Sequence, residues 1–207
     1  MFDPGADMVR ALGIDPGVSR CGYGVVARYG RGRSLTLKAD AAGVIRTHPK
    51  DPLPERLASI ATEIDALIVE YAPAVVVVER VLFQVNVRTA MATGQASGLA
   101  LAGAARAGIP VAHYSPNEVK LAVAGHGAAD KGEVQKMVQA QLRLETAPNP
   151  PDAADALALA LCYFARADVA HAIATGDPGT TDRFAAAVAR AEARSPQRRT
   201  PRTEVVS

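Results

Sequence analysis

Four acidic residues occupy positions in this sequence where an unpaired carboxylate is energetically costly. Asp15 ends an apolar run just before a Pro-Gly turn, and Glu79 follows four consecutive valines. Asp152 and Asp155 are three residues apart at the start of an Ala- and Leu-rich segment, a spacing that places both on one face of a helix. Burial disfavours a charged carboxylate unless a cation or a hydrogen-bond donor compensates. These four acids are therefore the strongest candidates for chemistry.

Each acid taken alone also has a structural explanation. Asp152 is electrostatically favoured near a helix N-terminus, Asp15 suits a turn, and Glu79 could pair with Arg80. Taken together, two acids at strand ends and two on one helix face could converge in an all-oxygen pocket. Such a pocket suits hard divalent cations, Mg²⁺ first and Mn²⁺ second. Two ions roughly 3.5–4 Å apart could activate water and stabilise the leaving oxygen in phosphodiester cleavage.

The hydrophobic pattern predicts the elements that would position these acids. Three short apolar runs separated by Gly-containing turns predict an antiparallel meander over 9–15, 22–29 and 33–40. After it, helices alternate with two strands, and the strand at 74–79 lacks the alternation of a half-exposed strand, which predicts a parallel strand covered on both faces. In chain order these predicted elements are 52–71, 74–79, 86–107, 109–113, 116–124, 131–144 and 151–165. The sequence therefore predicts an α/β domain with a mixed five-stranded sheet flanked by helices.

Composition restricts the class of protein further. The 207 residues are 49% hydrophobic and 21% charged, which is typical of a single globular domain. The sequence lacks a secretory signal pattern and any run of about 18 apolar residues, and its two cysteines show no disulfide or zinc spacing. These features favour a cytoplasmic protein. Five arginines against two glutamates in residues 190–207 predict a basic, flexible C-terminal tail.

Several motifs resemble, in order, those of the RuvC family of crossover-junction endodeoxyribonucleases. They are LGIDPG (12–17), GYG (22–24), VVVVER (75–80), GQASG (94–98), SPNEVK (115–120) and PDAADALALAL (151–161). The resemblance implies an RNase H-like fold over residues 8–166, with a short extension at 1–7 and a tail at 167–207. It also implies a homodimer that resolves Holliday junctions by paired nicks with Mg²⁺, in partnership with the RuvA and RuvB branch-migration proteins.

The resemblance assigns roles to particular residues. The family's catalytic, metal-binding acids fall on Asp15, Glu79, Asp152 and Asp155, the four residues selected above. Two lysines that contact DNA in family members match Lys120 and Lys131. The sequence departs from the family where an aromatic residue often stacks at the junction, because Leu82 occupies that position and Phe83 follows it. Either residue could act as the apolar wedge, or both could pack at a dimer interface.

Other functions remain open at this stage. An RNase H-like nuclease could act on a different nucleic acid, and a junction-binding module could use the same fold without cleaving. An actin-like ATP-binding protein also starts with a G-x-D-x-G hairpin. That architecture needs two related halves, however, and the chain contains a single such hairpin. Symmetric nicking of a four-way junction with Mg²⁺ would separate these possibilities.

Overall fold

The computed structural model describes residues 8–30, 35–80 and 87–175, and for 87–89 and 168–175 it describes the backbone alone. The elements are β1 Val9–Asp15, β2 Arg20–Tyr29, β3 Thr36–Arg46, α1 Leu53–Tyr71, β4 Val75–Glu79, α2 Val87–Arg106, β5 Val111–Tyr114, α3 Pro116–Ala124, α4 Lys131–Leu142 and α5 Pro151–Thr175. Within the described residues no helix is long and apolar enough to cross a membrane.

The strands form one sheet in the order β3-β2-β1-β4-β5. The first three strands are an antiparallel meander, and β4 and β5 are added parallel to β1. This arrangement confirms the predicted mixed five-stranded sheet. Helices cover both faces, so the apolar valines of β4 are buried on both sides, as expected of a central parallel strand.

Two core clusters lie on opposite faces of the sheet. On one face, α1 and α2 pack against residues such as Leu12, Ile14 and Val78. On the other face, α3, α4 and α5 pack against Ala11, Val77 and their neighbours. Side chains alternate along a strand, so Ala11 and Val77 face α5, whereas their neighbours Leu12 and Val78 face α1 and α2.

Two predicted elements differ from the observed ones. The third strand runs from Thr36 to Arg46 instead of over 33–40. Its second half is Ala-Ala-Gly-rich and has poor strand propensity, but pairing with β2 along its whole length overrides that preference. Helix α5 ends at Thr175, ten residues beyond the predicted end. Its Ala-rich sequence continues to favour helix after Phe164, the last of its described side chains in the core cluster.

Candidate active site

Asp15 and Glu79 lie side by side at one edge of the sheet. Strands β1 and β4 are parallel neighbours, and Ile14 pairs with Val78, so the next residue on each strand is an acid. Alternation places both acids on the face that α5 covers, because Ala11 and Val77 contribute to that core cluster. Parallel strands end at the same edge, and this geometry brings together two carboxylates that are far apart in sequence.

The first turn of α5 carries the other two acids to the same place. Glycines on β1 and β2 permit this approach, since a β carbon on Gly13 would lie 2.0 Å from the carbonyl oxygen of Ala156. A β carbon on Gly22 would lie 2.2 Å from the carbonyl oxygen of Asp152 and 3.2 Å from the β carbon of Asp15. Gly13 and Gly22 therefore allow α5 to pack closely against the first hairpin.

A cavity of about 150 Å³ opens where these elements meet. Three of the four predicted acids line it, and both predicted lysines line it with them. Apolar side chains of α3, α4 and α5 complete its walls. The lining residues are Asp15, Glu79, Asp155, Lys120, Lys131, Pro116, Val119, Val134 and Leu159. The structure thus brings together residues from five separate segments of the chain: β1, β4, α3, α4 and α5.

Asp152 and Asp155 each contact a basic side chain. Arg20 donates from Nε to Asp152 Oδ2 at 3.1 Å, and its Nη2 reaches the same oxygen. Lys131 donates from Nζ to Asp155 Oδ2 at 3.2 Å. Asp152 is held at the border of the cavity by Arg20 and does not line it.

The suggestion that Glu79 pairs with Arg80 is wrong. The Arg80 guanidinium lies 3.8 Å from Glu118 and donates to the carbonyl oxygen of His113. Glu118 in turn completes the capping box of α3 with Ser115, so Arg80 is engaged with the helix N-terminus instead of the cavity. Among the described residues, no donor forms a hydrogen bond with the Glu79 carboxylate. Its charged neighbours are Asp155, which repels it, and Lys131, which attracts it.

The crowding of negative charge alters the acidity of the site. Burial, followed by the charges of Glu79, Asp155 and Asp152, raises the pKa of Asp15 to about 7. Burial and the charge of Asp155 also raise the pKa of Glu79, and Lys131 opposes both shifts. In contrast, the Arg20 hydrogen bond lowers the pKa of Asp152. Asp15 and Glu79 are therefore carboxylates whose ionised form is disfavoured in the absence of a cation.

The donor set fits a hard divalent cation. Carboxylate oxygens are the ligands that Mg²⁺ and Mn²⁺ prefer, and a cation would relieve the repulsion that raises the Asp15 pKa. In residues 8–30, 35–80 and 87–175, no three acidic, thiol or imidazole groups enclose a metal position in this conformation. In this conformation Asp152 is paired with Arg20 and Asp155 with Lys131.

One residue of the site, Arg20, was not predicted from the sequence, and two predicted residues lie outside the part of the chain that the structure describes. Arg20 follows the turn after Asp15 and looks like an ordinary turn cation, so nothing local connects it with Asp152, 132 positions away. Leu82 and Phe83, the predicted junction wedge, lie outside the described residues.

The sheet order, the antiparallel first hairpin and the acids at the ends of β1 and β4 define the class of RNase H-like α/β proteins. The model of the family "Crossover junction endodeoxyribonuclease RuvC" matches residues 11–163. The crossover junction endodeoxyribonuclease RuvC of Pseudarthrobacter chlorophenolicus is 48% identical over 191 residues, covering 92% of this chain and 98% of the relative. The chain belongs to the RuvC family of crossover junction endodeoxyribonucleases.

Solved structures agree with this assignment. Thermus thermophilus RuvC has a TM-score of 0.72 and 39% identity, covering 78% of this chain and 97% of that one. T. thermophilus RuvC in complex with a Holliday junction substrate has a TM-score of 0.70 and 35% identity, covering 78% and 96%. Family membership makes the chain an endonuclease and implies the use of a divalent metal ion.

Proposed function

We propose that this protein resolves Holliday junctions in DNA recombination and repair by two symmetric nicks. The observation that carries the proposal is the meeting of acids from β1, β4 and α5 with two lysines around one cavity. A solved relative with 35% identity is described in complex with a Holliday junction substrate, which supports the same substrate here. The proposed products carry 5′-phosphate and 3′-hydroxyl ends.

The four acids are proposed as the catalytic, metal-binding residues: Asp15, Glu79, Asp152 and Asp155. When bound, two Mg²⁺ ions, or two Mn²⁺ ions in their place, would supply a nucleophilic water and stabilise the leaving oxygen. Asp15 and Glu79 offer the strand-end carboxylates, and their shared negative charge gives them affinity for cations. Asp152 and Asp155 each contact a basic group through Oδ2, so a bound cation would compete with Arg20 and Lys131 for these carboxylates.

The two lysines are proposed to position the scissile strand. Lys120 and Lys131 line the same cavity as the acids from α3 and α4, and Lys131 contacts Asp155. Cationic side chains at such positions bind phosphate without reading bases, so they would fix the register of the DNA. Lys131 has a second effect, because its charge lowers the pKa of Asp15 and favours the ionised carboxylate. Leu82 or Phe83 is proposed as the apolar wedge at the junction centre.

Paired cuts have consequences for assembly. Two symmetric nicks require two active sites related by a two-fold axis, so we propose that the protein acts as a homodimer. Family resemblance adds RuvA and RuvB as partners, and the composition of the sequence favours the cytoplasm as the location. We further propose that residues 8–166 form the nuclease domain, that 1–7 are an extension, and that 167–207 are a basic tail that adds salt-sensitive affinity for DNA.

A junction-nicking assay tests the proposal. A synthetic four-way junction labelled on each strand is incubated with the full chain, with Mg²⁺ or with EDTA, beside a linear duplex of the same sequence. We expect two symmetric nicks in the junction with Mg²⁺, none with EDTA, and survival of the duplex. Cleavage of the duplex or of an RNA–DNA hybrid at the same rate would favour the alternative of another nucleic-acid substrate. Junction binding without nicks in either Mg²⁺ or Mn²⁺ would favour a binding module.

A further inference from the structure

A second groove runs beside the turn that follows Asp15, outside the acidic cavity. Its volume is about 700 Å³, and it lies between that turn, the start of α1 and the first half of α2. Arg20, which contacts Asp152, stands at its border, so the groove begins next to the proposed catalytic acids. Ser19, Arg56, Thr93 and Gln95 contribute hydroxyl, guanidinium and amide groups to its lining. These polar groups and the Arg20 guanidinium lie along part of a groove whose remaining lining, which includes Val18, Leu53 and Met91, is largely apolar.

Arg56 is a cation held in place by neutral groups. Its Nε donates to Thr47 Oγ1 at 2.9 Å, and its Nη2 donates to Ser19 Oγ at 2.7 Å. The Thr47 hydroxyl donates in turn to the carbonyl oxygen of Val18 at 2.6 Å, which ties the network to the turn. The side chain is half-buried, so it has a defined direction.

Several other arginines of the fold are paired with acids. Arg10 pairs with Asp40, Arg106 with Asp65, and Arg80 and Arg166 with Glu118. In the part of the chain that the structure describes, no carboxylate lies within ion-pair distance of Arg56. Its positive charge is thus uncompensated, while its orientation is already determined by two hydroxyl groups. A preorganised guanidinium of this kind suits an anion with several oxygens, and its planar fork matches phosphate geometry.

We propose that this groove binds the sugar–phosphate backbone of the junction DNA, with Arg56 contacting a phosphate. The inference rests on the proposed function and extends it, because it adds a contact beside α1 and α2, which cover the sheet face opposite to that of α3 and α4, the helices that carry Lys120 and Lys131. A DNA strand crossing the acidic cavity is repelled by ionised carboxylates, and cations on both sides would hold it in position. The groove is open to solvent. This shape suits a DNA strand that continues beyond the groove in both directions, whereas a small anion would be bound in an enclosed pocket.

The salt dependence of junction binding tests this proposal. Binding of the full chain to a labelled four-way junction is measured in EDTA, so that no cleavage occurs, over a series of NaCl concentrations. We compare the parent with Arg56→Gln, Arg56→Lys, Ser19→Ala and Arg106→Gln. Arg56→Gln is expected to weaken binding by roughly fivefold to tenfold and to reduce the slope of log K against log salt by about 0.9 per bound protomer. Arg56→Lys is expected to retain the slope with intermediate affinity.

The remaining variants separate a phosphate contact from a structural role. Ser19→Ala removes a hydrogen bond from Arg56 but leaves the charge, so its slope should equal that of the parent. Arg106→Gln removes an arginine that Asp65 already neutralises and should change neither quantity. An unchanged slope for Arg56→Gln, with a loss of thermal stability that Ser19→Ala reproduces, would overturn the proposal in favour of a structural role.

Two further outcomes are decisive. An Arg56→Gln chain that keeps the parental slope but loses self-association would show that the groove is a protein interface, and it would also overturn the proposal. Failure of the parent itself to bind and nick the junction would instead reject the proposed function. The two failures are therefore distinguishable in the same set of samples.

Discussion

Gly22 and Asp152 are in direct contact across the interface between the sheet and helix α5. A β carbon on Gly22 would lie 2.2 Å from the carbonyl oxygen of Asp152, closer than any van der Waals contact allows. The same hypothetical atom would lie 3.2 Å from the β carbon of Asp15. The missing side chain on β2 is thus what allows the start of α5 to approach the end of β1. The distance between Asp15 and Asp152 therefore depends on Gly22, a residue without a functional side chain.

Substitution of Gly22 by alanine should therefore damage both stability and cleavage. The new methyl group meets backbone atoms that cannot rotate away, so α5 must shift outward and separate Asp152 from Asp15. We expect a loss of about 1–3 kcal/mol in the free energy of unfolding, measured by urea denaturation, and a junction-nicking rate reduced by at least tenfold.

Gly98→Ala is the matched control for that substitution. Gly98 lies in helix α2, and a β carbon there would meet no atom within 4 Å. Alanine is favoured over glycine within helices by about 1 kcal/mol, so this variant should be as stable as the parent or more stable. Equal stability of Gly22→Ala and the parent would contradict the tight packing of α5 on β2.

Asp15→Asn and Glu79→Gln should abolish cleavage while junction binding persists. Each change keeps the shape of the side chain and removes the negative charge that would attract a cation at the strand ends. We expect nicking to fall by more than a hundredfold, and binding in EDTA to stay the same or strengthen because repulsion of phosphate is reduced. Asp65→Asn, which alters an acid paired with Arg106 away from the cavity, is the control and should cleave normally. Near-parental turnover in either active-site variant would refute its catalytic assignment.

Asp15→Asn should also make the metal-free protein more stable at pH 8. The pKa of Asp15 is raised from 3.8 to about 7 in the folded state, so the folded protein binds this proton more tightly than the unfolded chain does. The contribution of Asp15 to stability is therefore full below about pH 4 and is lost as pH rises through 7. The cost of the ionised carboxylate at pH 8 amounts to at most about 4 kcal/mol.

Thermal unfolding in EDTA between pH 5 and pH 8 measures this effect. Asparagine carries no charge at either pH, so the Tm difference between the Asp15→Asn variant and the parent should be positive at pH 8 and shrink toward pH 5. A constant difference across this range would show that Asp15 does not carry the raised pKa. The measurement is independent of cleavage and so probes the electrostatics of the site alone.

Lys131→Ala should reduce the salt dependence of junction binding. Lys131 extends from the first turn of α4, is largely exposed, and contacts Asp155 beside the cavity. Loss of one phosphate contact should lower the slope of log K against log salt by about 0.9 per bound protomer. Lys136→Ala removes an exposed lysine from the same helix outside the cavity, and it should leave the slope close to that of the parent. Equal slopes for both variants would show that Lys131 does not contact phosphate.

Much of the fold could be predicted because its signals are local. The amphipathic pattern predicted α1, four consecutive valines predicted a central strand, and Ser115 with Pro116 marked the start of α3, where the structure has a capping box. The limits of β3 and α5 could not be predicted in the same way. The pairing of β3 with β2 and the departure of α5 from the core depend on neighbours that are distant in sequence.

The sequence by itself determined the identity of the four acids, the elements that carry them, and the family motifs in their order. Only the tertiary structure decided that Asp15, Glu79 and Asp155 share a cavity, and that Asp152 is held at its border by Arg20. The physical reason is that residue type and periodicity are properties of a short segment, whereas proximity arises from strand register and helix packing. Those depend on contacts such as that of Gly22 with Asp152, between residues that no local pattern connects.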